Sequence, residues 1–322
     1  MWWSTIWVMV TLTLRILAAP LAGEAQPANV PRLGVLGLVS TPERDQAQFQ
    51  AGLRERGYVE GQTIFVEYRW VAAGQAERLS DLAAEFVRLQ VDLIVALSTP
   101  SVQAAKRATT AIPIVMIAGD PVATGLVTSL ARPGGNITGI AAMTAELGGK
   151  CFELLRELLP AVPHVAVLLH ATDPFAQPFL ENIESAARSV GVSIQRVVVQ
   201  GDEALEGAFT AMVNERAGAV LVQPILATQH AAELAVQHHL PAIAPRLAFA
   251  EVGGLMAYAA SRASYWRSIA TYVDKILKGA KPADLPVEQP AQFELVLNLK
   301  TAQALGITMP PLLLFQATQV IQ

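Results

Sequence analysis

Residues 91–121 read VDLIVALSTPSVQAAKRATTAIPIVMIAGDP. Two unbroken apolar runs, LIVAL at 93–97 and IVMI at 114–117, flank a segment of helical spacing between Pro100 and Thr109. An apolar run without polar alternation is a strand buried on both faces, as in a parallel sheet covered by helices. Outward from this unit the same βα rhythm continues. Strands are expected at 33–39, 63–70, 137–141, 165–170, 193–199, 219–223, 242–244, 255–258 and 293–299. Helices are expected at 44–56, 75–90, 146–158, 176–190, 202–215, 227–239 and 264–278. Gly57, Gly191 and Gly279 stand where helices should stop, and Asp202 where one should be N-capped.

The chain has 322 residues, enough for two domains at about 150 residues each. Hydrophobic residues are 52% and charged residues 16%, against roughly 25% charged in an average chain. Dominant disorder is thereby excluded. The net charge of −4 and the lack of any Lys/Arg run leave no electrostatic footprint for nucleic acid. With Cys151 as the single cysteine, no intrachain disulfide or cysteine metal cluster can form. Residues 1–25 hold 17 hydrophobic residues and three of the five tryptophans, and end in small residues. They read as an export signal cleaved near Ala25, which places the mature protein in the periplasm. The other reading is an uncleaved anchor, against which Arg15 counts at about 2.5–3.5 kcal/mol in mid-membrane. After the Gly/Pro/Asn-rich ARPGGNITG at 131–139 the strand–helix alternation restarts; GAKPADLPVEQP at 279–290 is a second break. Two α/β lobes follow.

Motifs of several chemistries are missing. The chain contains no G-x-x-x-x-G-K-[ST], G-x-G-x-x-G or G-x-S-x-G, and its five histidines never fall in H-E-x-x-H spacing. No catalytic residue, metal ligand or cofactor is assigned. What remains are polar residues where strands end, the positions at which open α/β sheets bind ligands. Ser98 and Thr99 follow LIVAL and open a helix, where hydroxyls and free N–H groups can hold a carboxylate or phosphate or cap the helix. Asp120 and Pro121 follow the next strand; the carboxylate could meet an ammonium, and Asp-Pro equally opens a turn. In the second half the corresponding positions are Thr172, Asp173, Gln223, Arg246 and Tyr258, with Phe175 and Tyr258 as aromatic surfaces. Ser40 and Thr144, also at strand ends, complete the candidate ligand-binding set.

Four segments carry a family resemblance: GLRERGYVEGQTIFVEYRW at 52–70, GDPVATGLVTSLARPGGNITG at 119–139, GGKCFELLRELLP at 148–160, and YVDKILKGAKPADLPVEQPAQFELVLNLKTAQALGITMPP at 272–311. They resemble the ABC-transporter substrate-binding proteins of the tryptophan/tyrosine-binding type, over about residues 31–321. The resemblance implies a type I periplasmic-binding-protein fold, two doubly wound parallel-sheet lobes joined by a hinge of three crossings. Lobe 1 would comprise 31–138 with about 262–288, and lobe 2 would comprise 139–261 with about 289–322. The helix at 264–278 would return to the first lobe, and the strand at 293–299 would cross to the second. It further implies a monomer that captures a small zwitterion, led by aromatic amino acids, and presents it to an inner-membrane ABC permease. After Tyr258 members often carry Gly-Pro-Asp or Gly-Thr-Ser; here the run is Ala259, Ala260, Ser261, Arg262, so no ligand contact is assigned to it. Two other classes are weighed: an exported enzyme using Asp120, Asp173 or His170 as acid or base, and a ligand sensor for a signalling partner.

Overall fold

The computed structural model describes residues 30–38, 42–71, 73–143 and 145–322. The expected export signal, Ser40 and Thr144 lie outside the described residues. In the first sheet β1 (Arg32–Leu38), β2 (Phe65–Val71), β3 (Leu93–Leu97), β4 (Ile114–Gly119) and β5 (Ile137–Met143) run parallel in the order β2-β1-β3-β4-β5. The second sheet holds β6 (His164–His170), β7 (Ser193–Val199), β8 (Val220–Val222), β9 (Ala242–Ala244), β10 (Met256–Ala260), β11 (Phe293–Asn298) and β12 (Gln319–Ile321). Its order is β12-β11-β10-β9-β8-β6-β7, parallel except where β11 runs against β10.

The helices are α1 (Pro42–Arg54), α2 (Leu79–Arg88), α3 (Thr99–Ala108), α4 (Ala145–Leu158), α5 (Ala176–Ser189) and α6 (Leu205–Asn214). Then come α7 (Gln229–Gln237), α8 (Leu247–Glu251), α9 (Arg262–Leu277), α10 (Leu299–Ala304) and α11 (Pro311–Gln316). Strand periodicity sorts the core into layers. Leu33, Val35, Val95 and Val115 pack with Phe49 and Leu53 of α1 and Ile269 and Val273 of α9. Leu36, Ile94, Ala96 and Met116 face the opposite way, onto Phe86 of α2 and Val102 of α3. In the second sheet Val165, Val167 and Leu221 meet α4 and α5, while Ala166, Leu168 and Val220 meet α6 and α7. The apolar layer holding Met116 is continuous with the one holding Leu168, so the lobes share buried surface. Pro31–Gln322 accordingly form one compact unit.

Several local expectations need revision. Residues 75–90 are not one helix; a 3-10 turn at Ala73–Arg78, with Gln75 at φ −123°, precedes α2. Asp202 is not an N-cap: it lies in a 3-10 turn, Asp202–Ala204, and Ala204 precedes α6 without a side-chain cap. Backbone closes this turn instead, the Ala204 N–H bonding the Gly201 carbonyl and the Leu205 N–H the Asp202 carbonyl. Gly57, Gly191 and Gly279 adopt left-handed φ of +84°, +70° and +99° at helix ends.

The lobe boundary expected between 138 and 139 falls inside β5, whose residues to Met143 belong to the first sheet. Hydrogen bonding, which the loop composition could not register, keeps the strand there: Gly139 pairs with Met116 on one side, and its carbonyl accepts from the Glu288 N–H on the other. The chain therefore leaves the first sheet after β5, returns between β10 and α9, and leaves again before β11. Gly139 has φ +134°, and a Cβ there would lie 2.3 Å from the Met116 carbonyl oxygen. Gly139→Ala is expected to cost about 3 kcal/mol, combining a disallowed φ with a backbone clash, and urea unfolding would read it as a lowered midpoint with unchanged slope.

Candidate functional site

A cavity opens at the carboxyl ends of the strands of both sheets. It is lined from the first sheet by Leu38, Leu97, Ser98, Thr99 and Ile117 and from the second by Asp173, Phe175, Ala259 and Ala260, with Pro224, Ile225 and the 245–247 turn. Tyr265 and Trp266 of α9 close it. The walls are mainly apolar and the polar groups few, the usual composition of a small-molecule site.

Local chemistry fixes the polar corners. Where β3 ends, Ser98 takes φ +92° and its Oγ accepts from the Ser101 N–H at 3.4 Å, capping α3. The Thr99 hydroxyl is held by the end of β4, accepting from the Gly119 N–H at 3.2 Å. Pro100 has no N–H, so the Thr99 N–H is the group of that first helical turn that capping leaves over. At the end of β6, Asp173 is 8% exposed; its Oδ1 accepts from the Phe175 N–H at 3.0 Å and its Oδ2 from Gln223 Nε2 at 2.7 Å. Both donors are neutral, and among the described residues no cation forms an ion pair with this carboxylate. Burial pushes its pKa up to about 6, partly offset by those two hydrogen bonds. Arg246 lines the same cavity and its Nη1 donates to the Pro224 carbonyl at 3.4 Å.

Phe175 crosses from the second lobe onto the first. Its ring sits over Gly119, where a Cβ would come within 2.5 Å of it, and its other side meets Phe179 with centroids 5.9 Å apart. Trp266 is anchored in the α1–α9 core by Phe49 at 5.6 Å.

Of the residues the sequence singled out, the cavity gathers Ser98, Thr99, Asp173, Phe175 and Arg246. Asp120 does not reach it. At φ +23° its Oδ1 accepts from the Ala123 N–H and its carbonyl from Thr124, so the Asp-Pro pair is a turn, and buried Pro121 receives the Leu126 and Val127 N–H groups. Thr172 is exposed, its N–H bonded to His170 Nδ1 at 3.3 Å. Gln223 is wholly buried behind Asp173 rather than lining the cavity. Tyr258 faces the α4 side of the sheet and stacks on Phe293 at 5.7 Å. Conversely Ala259 and Ala260, to which no contact was assigned, do line the cavity, as do Tyr265 and Trp266. The aromatic pair followed from no strand-end rule; only the apolar face of the helix at 264–278 marked it.

Comparison with known proteins fits this architecture. The family model for "ABC transporter substrate binding protein" matches residues 32–321. The chain belongs to the ABC transporter substrate-binding protein family. Members capture small-molecule solutes and work with ABC permeases. A "Tyrosine-binding protein" of Clostridioides difficile is 27% identical over 286 residues, covering 85% of this chain and 81% of the relative. A crystal structure of a conserved domain protein from Vibrio cholerae superposes with a TM-score of 0.84 at 26% identity, covering 90% of this chain and 99% of that one. The ABC domain from Streptococcus pneumonia in complex with L-Trp superposes with a TM-score of 0.82 at 28% identity, with the same coverage. The two-lobed arrangement is the type I periplasmic-binding fold implied by the sequence resemblance.

Proposed function

We propose that this substrate-binding protein captures an aromatic amino acid as its zwitterion between the two lobes. One observation carries the reading: Asp173, a buried carboxylate at the cavity wall, is engaged only by neutral donors among the described residues. A buried carboxylate costs several kcal/mol of desolvation unless a cation reaches it, and a ligand ammonium is such a cation. Ser98 Oγ and the Thr99 N–H, at the start of α3, receive the ligand carboxylate. Phe175, Tyr265 and Trp266 surround the side chain, in the manner of aromatic-lined pockets. Tyrosine and tryptophan, named for two relatives, fit that description.

In this reading the protein is exported by its first 25 residues, acts as a monomer in the periplasm, and hands its ligand to the permease without chemical change. Among the described residues no helix is long and apolar enough to cross a membrane. Lobe 1 takes in β1–β5 and α9, and lobe 2 takes in β6–β12. Calorimetric titration with L-tryptophan, L-tyrosine and L-phenylalanine tests the proposal. Micromolar or tighter binding of at least one, with the ligand recovered unaltered, is the expected result; a folded protein that binds none of them would refute it.

A further inference from the structure

Gln223 sits at the point where β8 turns away from β6. Beyond Val222 the β6–β8 ladder ends, and Pro224 starts a 3-10 turn, so the His170 N–H has no strand partner there. The Gln223 side chain fills the place: its Oε1 accepts from the His170 N–H at 2.7 Å. A peptide N–H can only donate, so the amide oxygen must face it. The amide nitrogen is then committed to the other side, where Asp173 Oδ2 lies 2.7 Å away. The amide cannot be turned round without setting N–H against N–H in a site from which water is excluded. Gln223 is 0% exposed, so its amide has no solvent to exchange partners with, whereas Asp173, 8% exposed, reaches the cavity wall.

We propose that Gln223 is a positioning residue for ligand recognition, its amide locked by the His170 N–H so that it presents a permanent donor to Asp173 and keeps that carboxyl in its acceptor form for a ligand ammonium. The inference rests on the reading of Asp173 given above. Its chemical content is selection by charge type: once ionised, a carboxyl that accepts from Gln223 and from the Phe175 N–H keeps acceptor capacity at the cavity wall and has no proton to give. The site then favours amines over neutral or deaminated analogues of the same shape. Other ionisable groups border this corner: Arg246 lines the cavity, the His170 ring lies at the end of β6 with its imidazole held low by burial, and Glu203 is the acidic group acting on that ring. Among the described residues, the donors to the Asp173 carboxylate are the Phe175 N–H and Gln223 Nε2.

The test compares L-tryptophan with indole-3-propionate, which lacks the ammonium, as ligands for the wild-type protein and for Asp173→Asn and Gln223→Met, each titrated from pH 5 to 8. Asp173 carboxyl titration by carbon NMR is followed in parallel in the ligand-free wild type and Gln223→Met. Gln223→Met is expected to lose about tenfold in tryptophan affinity at pH 7 while indole-3-propionate binding changes little, and to move the Asp173 titration to higher pH. If Gln223→Met weakens both ligands equally or neither, or leaves the Asp173 titration in place, the positioning role is overturned. If Asp173→Asn fails to weaken tryptophan selectively, or the wild type binds no aromatic amino acid, the ammonium reading itself falls, and the carboxyl titration still decides whether Gln223 governs Asp173. Should Gln223→Met fail to fold, the exchanged pair Asp173→Asn with Gln223→Glu supplies the second variant. Its carboxylate would accept from both the His170 N–H and the Asn amide, so it should unfold at a higher temperature than Asp173→Asn alone; no recovery would overturn the lock.

Discussion

Asparagine in place of Asp173 is expected to remove most of the affinity for an aromatic amino acid, by about 2–5 kcal/mol or at least thirtyfold, because the ammonium would lose the carboxylate proposed to pair with it. The substitution is close to isosteric and leaves the apolar walls untouched, so the loss should be confined to ligands carrying the amine. The pH dependence has an opposite sign for stability and for binding. Burial raises the folded-state pKa of Asp173 from 3.8 to about 6. Without ligand, the folded protein therefore holds this proton more tightly than the unfolded chain does. Its contribution to stability is largest below about pH 4 and is lost as pH rises through 6, a swing of about 3 kcal/mol. An ammonium needs the ionised carboxylate. Affinity should be full above about pH 7 and fall roughly tenfold for each pH unit below 6. Urea midpoints and titration calorimetry across pH 4–8 would read both trends, and Asp173→Asn should abolish both. Affinity that is flat down to pH 5 would contradict the ammonium pairing.

That opposition has a physical meaning. In the proposed reading, the unliganded site carries a carboxylate that weakens the fold at neutral pH, and the ammonium of the ligand would relieve it. Stability gained on binding then exceeds what contact area alone supplies, which links occupancy to the closed arrangement of the lobes.

How far the sequence could reach is clearest at particular residues. LIVAL and PIVMI announced a parallel sheet because burial on both faces leaves no alternation, and the polar residues immediately after LIVAL did reach the cavity. The strand-end rule failed at Asp120 because β4 is irregular there: its register against β5 shifts between Ile117 and Gly119. The chain then turns at once through Asp120 and Pro121. What β4 contributes to the cleft is the Ile117 side chain, while Gly119 leaves room for the Phe175 ring. Tyr258 failed by strand parity. In β10, Ala257 and Ala259 share one face, and Tyr258 takes the other with Met256. A one-residue difference in register, invisible in a run as apolar as LMAYAA, decides which side the ring occupies. Tyr265 and Trp266 were hidden for another reason. They come from a helix that follows β10, before the chain re-enters the second sheet at β11, and only the return crossing packs that helix on α1, so their nearness to Ser98 is a product of topology.

Gly119 is the position at which an added side chain should hold the lobes apart. It closes β4 and is not among the glycines with positive φ, so its backbone does not demand glycine. Both flanking strands are already buried and paired, and local folding should survive. The obstacle lies across the cleft: a Cβ would stand 2.5–2.7 Å from Cδ2, Cγ and Cε2 of Phe175. These are atoms near the root of the ring, and Phe175 is 3% exposed against Phe179, which leaves it little room to swing away. Hinge-bending proteins close by bringing such surfaces together, so Gly119→Val should favour an open arrangement and forfeit the contacts that close around the ligand. Overpacking of this kind costs about 1–3 kcal/mol, which corresponds to a loss of about five- to two-hundredfold in affinity. Small-angle scattering supplies the independent readout, since the wild type should contract on adding L-tryptophan and Gly119→Val should not. Combining Gly119→Val with Phe175→Ala removes the collision and should restore the contraction, while affinity recovers only in part because the ring is also a wall of the cavity. Contraction and affinity both unchanged in Gly119→Val would mean that the lobes close on some other contact.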